Sequence, residues 1–342
     1  FEYRRYFPNS KRAADFDPVE SNEAADETSE TPLLRDFIDT WWNENEIRWR
    51  HHTRVGNRVV INRYLLPYFG DTPVAAITKA DALAMRAEVA KLPGRNGNAT
   101  LSAKTLNNLM MVFNMIMAEA ADRYDFINPL RHVKRLKQPR KEIQPFRLEE
   151  VQAIINTVRS DFRPYYIVRF FTGMRTGEVH GLKWDRVDWD ANQILVRETY
   201  SHGRVEYTKT DGSQREIDMS SHVRAALEEQ YAATGHHTYV FCSQSGTPLD
   251  ANNIARRVWK PLLNYLGLAQ RRPYQCRHTA ATLWLASGEN PEWIARQLGH
   301  SNTEMLFRVY SRYIPNLTRR DGSAFDNFVS NALNGGTFEE TS

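Results

Sequence analysis

The stretch of this 342-residue chain that most restricts its fold and chemistry reads Thr172-Gly173-Met174-Arg175-Thr176-Gly177-Glu178-Val179. A Thr-Gly turn followed by an arginine is typical of a helix start, which places Arg175 beside the first turn. Glu178 follows three positions later, so both side chains share one helical face. A guanidinium is permanently charged and can donate two parallel hydrogen bonds to phosphate oxygens. The stretch predicts an anion-binding arginine, with Glu178 holding either that arginine or the fold itself.

Further side chains suited to phosphate chemistry are spread through the second half of the chain. They are Lys209 between two strand-like runs, Arg277 and His278 at a helix start, His300 after a helix-ending glycine, and Tyr310. Together they supply cations and donors for the oxygens of a phosphorane and a phenol as nucleophile. The sequence has no His-Glu-x-x-His run, no Walker-type phosphate loop and no carboxylate cluster at two-metal spacing. We therefore expect chemistry without cofactor or metal.

Length and composition limit the class of protein. A chain of 342 residues with 41% apolar residues is typical of a globular protein with two domains. No apolar run approaches the roughly 20 residues that span a bilayer, and no secretory signal is present. Cys242 and Cys276 are the only cysteines, which gives neither a disulfide framework nor a ligand set for structural zinc. We expect a reducing cytoplasm and no membrane partner.

The charge is segregated along the chain, although the net charge is only +4. Residues 1–16 are aromatic and basic, and residues 17–31 are acidic with almost no apolar content, which indicates a flexible linker. A basic segment lies near the middle of the chain: Arg131, Lys134, Arg135, Lys137, Arg140, Lys141 and Arg147. Such a run is often only a solvated face, but beside a phosphate-handling site it favours contact with nucleic acid. We assign residues 134–146 to a basic interdomain linker.

Helical periodicity dominates residues 32–133. Apolar residues recur at three-to-four spacing in the first part of this region, and a second helix is predicted between Thr53 and Pro67. Thr78 and Asp81 predict a capping box that opens a third helix, and Ser102 predicts the cap of a long fourth helix. The region is therefore predicted to be an all-helical domain.

Residues 147–318 combine helical patterns with short strands. Three runs read as strands: residues 187–198, 205–208 and 216–219. The last two are predicted to pair with each other across the polar stretch 209–214. Helical patterns follow, including 221–234 and 291–298, where a proline begins the helix. The chain is thus predicted to be mainly α with a small antiparallel β-sheet: an all-helical domain, then an α+β domain, then a C-terminal tail at 319–342.

These motifs resemble the tyrosine recombinases of the phage-integrase family, over roughly residues 32–318. Residues 147–318 resemble the family's catalytic domain, and residues 32–133 resemble its core-binding domain, which has a SAM-like helical fold. Residues 1–16 resemble the end of an arm-type DNA-binding domain, so we expect a remnant of a domain that is mostly missing from the chain. The resemblance implies an integrase of a prophage or mobile element.

The resemblance gives an expected role to the basic motifs. Arg175 and Arg277 match the family's two catalytic arginines. Lys209 matches a lysine on a β-hairpin that is expected to protonate the departing 5′ oxygen. The box usually written His-x-x-Arg reads Tyr-Gln-Cys-Arg here, so Tyr274 replaces a histidine. Because a phenol is a poor acid or base near neutrality, we expect Tyr274 to contact the phosphate or the leaving group.

The remaining residues complete the expected site. His300 matches the family's late histidine or tryptophan, a donor to a nonbridging phosphate oxygen. Tyr310, ten positions later, matches the nucleophile, and Tyr313 is the competing candidate. Glu178 and His278 are expected to support the site, His278 by tying its helix start to neighbouring backbone.

The implied function is site-specific recombination of double-stranded DNA. Tyr310 attacks the scissile phosphate to form a 3′-phosphotyrosine, and strand exchange passes through a Holliday junction. A homotetramer on core sites is expected, with arm-type sites and host DNA-bending proteins as further partners. A bacterial, nucleoid-associated location in the cytoplasm follows. A type IB topoisomerase-like enzyme and a nonenzymatic DNA-binding regulator remain the alternatives.

Overall fold

The structure is a computed structural model that describes residues 31–94, 97–139, 142–201, 203–207 and 214–310, together with Val329. The chain divides into two compact units, Phe1–Arg140 (unit 1) and Lys141–Ser342 (unit 2). Both are mainly helical and the described strands are short and antiparallel, so the predicted fold class is confirmed. Among the described residues, no helix combines the length and apolar character that a membrane span requires.

Unit 1 is built from helices joined by short turns. Its α-helices are α1 (Leu34–Asn45), α2 (His51–Val60), α3 (Leu66–Phe69), α4 (Lys79–Ala90) and α5 (Ala103–Arg123). Short 3₁₀ turns lie at Glu46–Arg48 and Val74–Ala76. A π-helical segment, Ile61–Leu65, joins α2 to α3, so the two run without a break.

The N-terminal caps of α4 and α5 are those that the sequence predicts. The Thr78 hydroxyl accepts a hydrogen bond from the Asp81 N–H at 3.2 Å, and the Asp81 carboxylate accepts from the Thr78 N–H at 3.0 Å. The Ser102 hydroxyl accepts from the Thr105 N–H at 3.2 Å. Each cap satisfies a backbone donor that has no partner within its own helix. The predicted starts of both helices are therefore confirmed.

Aromatic side chains dominate the core of unit 1. Trp41 and Trp42 of α1 pack against Trp49, with ring centroids 5.0 and 5.3 Å apart. Phe69 stacks on Phe113 of α5 at 5.2 Å. Each such pair contributes about 0.5–1.5 kcal/mol beyond the burial of its apolar surface. These contacts fix α1 and α3 against the rest of the unit.

Asn107 of α5 fixes the chain that leaves unit 1. Its side-chain amide donates to the Leu136 carbonyl and accepts from the Leu136 N–H, both at 2.8 Å. Arg86 of α4 donates to the Lys134 carbonyl at 3.1 Å. The start of the predicted linker, at Lys134 and Leu136, is thus hydrogen-bonded to helices of unit 1.

Unit 2 places short strands among its helices. The helices are α6 (Leu148–Thr157), α7 (Arg163–Thr172), α8 (Thr176–His180), α9 (Ser221–Thr234), α10 (Ala251–Ile254), α11 (Lys260–Tyr265), α12 (Gln275–Ala286), α13 (Pro291–Leu298) and α14 (Thr303–Tyr310). The strands are β1 (Val187–Asp188), β2 (Gln193–Val196), β3 (Glu198–Ser201), β4 (Arg204–Tyr207) and β5 (Arg215–Asp218). A π-helical segment, Ala255–Trp259, joins α10 to α11, and 3₁₀ turns lie at Ser160–Phe162 and Trp184–Arg186. The bounds of α9 and α13 are those predicted.

The strands form two small antiparallel sheets with the orders β1-β2-β5 and β3-β4. The prediction that residues 205–208 pair with 216–219 is wrong for the described strands, because β4 pairs with β3 and β5 pairs with β2. The predicted strand 187–198 is interrupted, since Asn192 has a φ of 55° and turns the chain between β1 and β2. Alternation along the sequence identifies a strand but not its partner.

The core of unit 2 is centred on Trp259. Its ring stacks on Tyr166 at a centroid distance of 5.3 Å and meets Phe146 edge-on at 5.6 Å. The Phe146 N–H donates to the Thr279 hydroxyl on α12 at 2.9 Å. The chain that enters unit 2 is therefore attached to the helix that carries Arg277.

We expect Asn107→Ala to destabilise unit 1 by about 1–2 kcal/mol, because it removes the side-chain partner of the part-buried N–H and C=O of Leu136. Hydrogen–deuterium exchange on the full chain should show faster exchange of the Leu136 amide. Asn108→Ala, an exposed position on the same helix, is the control and should leave that amide protected. Full protection of Leu136 in Asn107→Ala would show that the amide does not hold this segment.

Candidate active site

Arg175 and Glu178 meet at the start of α8. Arg175 is the N-cap residue with an extended backbone, and its N–H donates to Glu178 Oε2 at 2.8 Å. Its guanidinium donates from Nη1 to Glu178 Oε1 at 2.7 Å. The Glu178 side chain is only 3% exposed, whereas that of Arg175 is 36% exposed. The carboxylate therefore orients a guanidinium that is still open to a ligand.

Arg215, the first residue of β5, is a site residue that the sequence analysis missed. Its Nη1 and Nη2 donate to Glu178 Oε1 and Oε2 at 3.1 and 2.9 Å, and its Nε donates to the Gln297 carbonyl at 2.6 Å. Buried and exposed residues alternate along β5, and Arg215 is buried together with Ile217. An arginine on the apolar face of a strand requires a buried acid, which is the signal that could have identified this pair.

Three arginines oppose the effect of burial on the charge of Glu178. Burial alone would raise the pKa of the carboxyl group, but Arg215, followed by Arg175 and Arg277, lowers that pKa to about 2. Glu178 is therefore ionised across the physiological range. It is the anion that allows these cations to lie close together.

Arg277 of α12 is buried with only 2% of its surface exposed. Its Nη1 donates to the Gly173 carbonyl at 2.8 Å and its Nη2 to the Leu298 carbonyl at 2.5 Å. These carbonyl oxygens accept hydrogen bonds from the Arg277 N–H groups, but they carry no formal charge and so do not neutralise the guanidinium. Burial, and then the charge of Arg175, lower the pKa of Arg277 to about 10. A buried cation held this way favours a nearby anionic ligand.

The C-terminal end of α13 gathers the three arginines. Arg215 donates to the carbonyl of Gln297, Arg277 to that of Leu298, and Arg175 Nη2 to that of Gly299 at 3.4 Å. These carbonyls lie at the helix end, where the peptide dipoles leave partial negative charge. Three consecutive backbone oxygens thus place the guanidiniums side by side.

His300 follows this helix end directly. Gly299 has a φ of 65°, a left-handed conformation that ends α13, and the His300 N–H donates to the Ala295 carbonyl at 2.9 Å. The Nδ1 atom of His300 is buried and has no hydrogen-bond partner among the described residues. Burial, then Arg277, Arg175 and Arg215, lower the pKa of His300 to about 4. Its imidazole is therefore neutral near pH 7.

Tyr310, the last residue of α14, lies beside His278. Its hydroxyl is 2.9 Å from His278 Nδ1, and its ring packs in a cluster that includes Leu298 and Leu306. Tyr310 is 2% exposed, and burial raises its pKa to about 12 against the opposing charge of Arg277. The imidazole of His278 contacts this hydroxyl, not the backbone that we expected it to hold.

The expected residues not yet placed are Tyr274, Lys209 and Tyr313. Tyr274 is the N-cap residue of α12 and is 43% exposed. Its ring meets the His278 ring edge-on, with centroids 5.1 Å apart. Lys209 and Tyr313 lie outside the described residues.

Arg169 of α7 is a second residue that the sequence analysis missed. It is 1% exposed and donates to the Thr176 hydroxyl, the Pro273 carbonyl and the Tyr165 hydroxyl, each at 2.9 Å. The Tyr165 hydroxyl also lies 2.8 Å from His180 Nε2. Arg169 thus connects the residue after Arg175 to the residue before Tyr274. An arginine within the otherwise apolar stretch 164–171 of α7 gave little sign of this role.

The described part of unit 2 therefore brings most of the expected residues together around the end of α13. They are Arg175, Glu178, Tyr274, Arg277, His278, His300 and Tyr310. The cluster combines surplus positive charge, neutral imidazoles and a protonated phenol. Such a set can bind a phosphodiester and attack it.

Two sequence profiles match the chain. The profile described as the phage integrase family covers residues 123–315, and that of the phage integrase N-terminal SAM-like domain covers residues 33–83. The chain belongs to the phage integrase family. It has a tyrosine recombinase catalytic domain, and the predicted function of a site-specific DNA recombinase is confirmed.

Curated relatives resemble the chain over most of its length. Prophage integrase IntR of Escherichia coli (strain K12) is 24% identical over 355 residues, which covers 93% of this chain and 83% of the relative. The ICEBs1 integrase of Bacillus subtilis (strain 168) is 26% identical over 291 residues, covering 80% of this chain and 77% of the relative. Both names describe integrases of genetic elements.

Solved structures share the fold. The Tn1549 transposon integrase in complex with a circular intermediate DNA superposes with a TM-score of 0.70 at 17% identity, covering 87% of this chain and 99% of that one. A lambda integrase tetramer bound to a Holliday junction gives a TM-score of 0.65 at 16% identity, covering 87% and 82%. At these identities the likeness concerns the fold alone.

We expect Gly299→Ala to disturb the arginine cluster. The left-handed φ of 65° is unfavourable for alanine, and the new Cβ would lie 3.1 Å from Arg215 Cδ and 3.2 Å from its Nη1. Gly267→Ala is the matched control, because Gly267 has a φ of 63° with open space around the added Cβ. Both variants lose about 1–2 kcal/mol of stability in urea unfolding from the backbone conformation. Only Gly299→Ala should lose DNA cleavage as well, and equal cleavage by the two variants would contradict this prediction.

We expect Glu178→Gln to be destabilising in a pH-dependent way. The depressed folded pKa, about 2 against an ordinary value of 4.5, means that the carboxylate stabilises the fold above about pH 4.5. This contribution, about 3 kcal/mol, is lost as the pH falls toward 2. The stability difference between wild type and Glu178→Gln in urea unfolding should therefore shrink over that range.

Glu228→Gln is the control for this pH dependence. Glu228 pairs with Arg224 at 3.0 Å on an exposed helical face, and such pairs contribute only about 0.5 kcal/mol. Its substitution should change stability little at any pH. A stability difference for Glu178→Gln that stays constant from pH 7 to pH 2 would show that its charge does not hold the arginines.

Proposed function

We propose that this chain exchanges DNA strands of a prophage or related mobile element through a 3′-phosphotyrosine on Tyr310. One observation supports this most. The end of α13 collects Arg175 and Arg277 through its carbonyls, presents His300, and packs against the Tyr310 ring through Leu298. The groups proposed to bind the phosphate and the proposed nucleophile of one chain thus lie at the same helix end.

The guanidiniums supply electrostatic stabilisation in the proposed reaction. Arg175 and Arg277 bind the nonbridging oxygens of the scissile phosphate, and the charge that develops on the phosphorane strengthens these contacts. His300, neutral because of its lowered pKa, donates a further hydrogen bond. Glu178 does not touch the DNA but holds Arg175 in place. Tyr274, exposed beside His278, contacts the phosphate or the leaving group.

Cleavage and rejoining conserve the energy of the bond. The Tyr310 oxygen displaces the 5′ oxygen from phosphorus, and Lys209 protonates that leaving oxygen. The resulting phosphotyrosine ester can be attacked by a 5′ hydroxyl from the partner DNA, so rejoining needs no ATP. Repetition on the second pair of strands resolves a Holliday junction.

The proposed assembly is a homotetramer on two double-stranded DNA core sites. The lambda integrase tetramer bound to a Holliday junction supports this arrangement, because its fold is shared. Residues 1–16 are proposed to contribute to arm-type sites, and a chromosomal substrate places the reaction at the bacterial nucleoid. Contacts to phosphates neutralise charge, so affinity should fall steeply as salt increases.

A nicked suicide substrate tests this proposal. It consists of the attachment-site duplex from the junction between the element and its host chromosome, nicked so that the short cleaved strand diffuses away. Wild type should accumulate a covalent protein–DNA complex that survives denaturing electrophoresis. Tyr310→Phe should reduce this complex by at least about 10³-fold, because the attacking oxygen is gone. Tyr313→Phe is the matched control and should retain the complex.

The same assays separate the alternatives. A nonenzymatic regulator would bind the duplex but form no covalent complex. A type IB topoisomerase-like enzyme would form the complex and relax supercoiled plasmid, yet would give no recombinants from a plasmid with two attachment sites. Tyr310-dependent recombinants are the expected result. Loss of the complex in Tyr313→Phe, with retention in Tyr310→Phe, would overturn the assignment of the nucleophile.

A further inference from the structure

The contact between His278 and Tyr310 carries an inference about proton transfer. His278 Nδ1 lies 2.9 Å from the Tyr310 hydroxyl, and the ring centroids are 5.6 Å apart. The two residues belong to α12 and α14, which pack against each other. A phenol must lose its proton as its oxygen bonds to phosphorus, and the acceptor must lie within hydrogen-bond reach.

We propose that His278 is the catalytic base that takes the Tyr310 proton, a role that rests on the proposed function. With its ring proton on Nε2, the imidazole presents a lone pair at Nδ1, and the Tyr310 hydroxyl donates to it. The proton moves to Nδ1 while the oxygen's electron pair forms the new bond to phosphorus. The bond from phosphorus to the 5′ oxygen breaks, and Lys209 gives that oxygen a proton. In rejoining, His278 returns its proton to the leaving Tyr310 oxygen.

The position of His278 compensates for the substitution at residue 274. Tyr274 and His278 are four positions apart, and the backbone of Tyr274 already has helical dihedral angles. Residues at this spacing share one face of a helix, and their rings touch edge-on. A phenol at position 274 is a poor proton acceptor. The imidazole of His278 lies one helical turn further along α12, within hydrogen-bond distance of the Tyr310 hydroxyl.

His300 does not serve this role in the structure. Its Nδ1 has no partner among the described residues, whereas the Tyr310 hydroxyl is already bonded to His278. His300 follows the helix end that receives Arg175 and Arg277, which suits it to the phosphate oxygens. In this proposal, His278 therefore acts on the Tyr310 hydroxyl and His300 contacts the phosphate oxygens.

The charged groups around His278 make its basicity depend on the substrate. Arg277 is its neighbour on α12, Tyr274 touches its ring, Tyr310 faces it from α14, and His300 lies close enough to interact with it electrostatically. Burial, and then Arg277, lower the pKa of His278 to about 4. A bound phosphodiester brings negative charge to Arg277 and offsets this effect. His278 thus becomes a stronger base when DNA occupies the site.

The test compares His278→Asn with His278→Ala on the nicked suicide substrate. The amide oxygen of asparagine lies near the place of Nδ1 and can accept the Tyr310 hydrogen bond, but it cannot hold a proton. Both variants should therefore cleave roughly 10²–10⁴-fold more slowly than wild type in single turnover. His222→Asn, at an exposed position of α9, is the control and should cleave at the wild-type rate.

A second substrate separates proton transfer from damage to the site. DNA that ends in a 3′-p-nitrophenyl phosphate can be joined to a 5′ hydroxyl without Tyr310, because nitrophenolate leaves without needing a proton. This joining depends on the arginines and Lys209 but moves no phenolic proton. The ratio of cleavage rate to joining rate should therefore fall by at least about 10²-fold in both variants.

Each outcome decides the assignment. Cleavage by His278→Asn near the wild-type rate, with loss in His278→Ala, would overturn the base and leave His278 as a positioning residue. Equal losses of cleavage and joining would also overturn it, because the whole site would then be disturbed. Failure of the wild type to form any covalent complex would instead refute the proposed function itself.

Discussion

The buried carboxylate of Glu178 is the interaction on which the rest of the site depends. It accepts hydrogen bonds from Arg175 at the start of α8 and from Arg215 on β5, and Arg215 in turn bonds to Gln297 at the end of α13. The start of α8, strand β5 and the end of α13 are therefore connected through one carboxylate. Removing one partner of such a network leaves a desolvated charge, which costs about 3–5 kcal/mol. The position of Arg175 is thus a consequence of the fold around Glu178.

The balance of charge explains the state of the site before substrate binds. Glu178 is the carboxylate that contacts Arg175 and Arg215, while Arg277 donates to the backbone carbonyls of Gly173 and Leu298. Burial, and then the surplus positive field, lower the pKa of the nearby imidazoles, and burial keeps the Tyr310 phenol protonated. The Tyr310 phenol, the proposed nucleophile, therefore keeps its proton until a base removes it. An oxyanion that develops in this surplus field is stabilised without reorganisation of the protein.

Local signals in the sequence predicted much of the fold, whereas long-range partners were not predictable. Neighbouring residues determine the caps at Thr78 and Ser102 and the bounds of α9 and α13. The sequence was therefore enough to predict these features. The pairing of β4 and β5 failed because alternation carries no information about partners. Arg215 and Arg169 were missed because their roles exist only once distant segments meet. Resemblance to the family supplied the candidate site residues, but the contact between His278 and Tyr310 required the structure.

The most direct test of the central claim is peptide mapping by mass spectrometry of the trapped complex between wild-type protein and the suicide duplex. After nuclease and protease digestion, the predicted result is a nucleotide mass on the peptide that contains Tyr310, with fragmentation locating it on that phenolic oxygen. A nucleotide on another residue, or cleaved DNA that never becomes bonded to protein, would contradict a phosphotyrosine intermediate at this site.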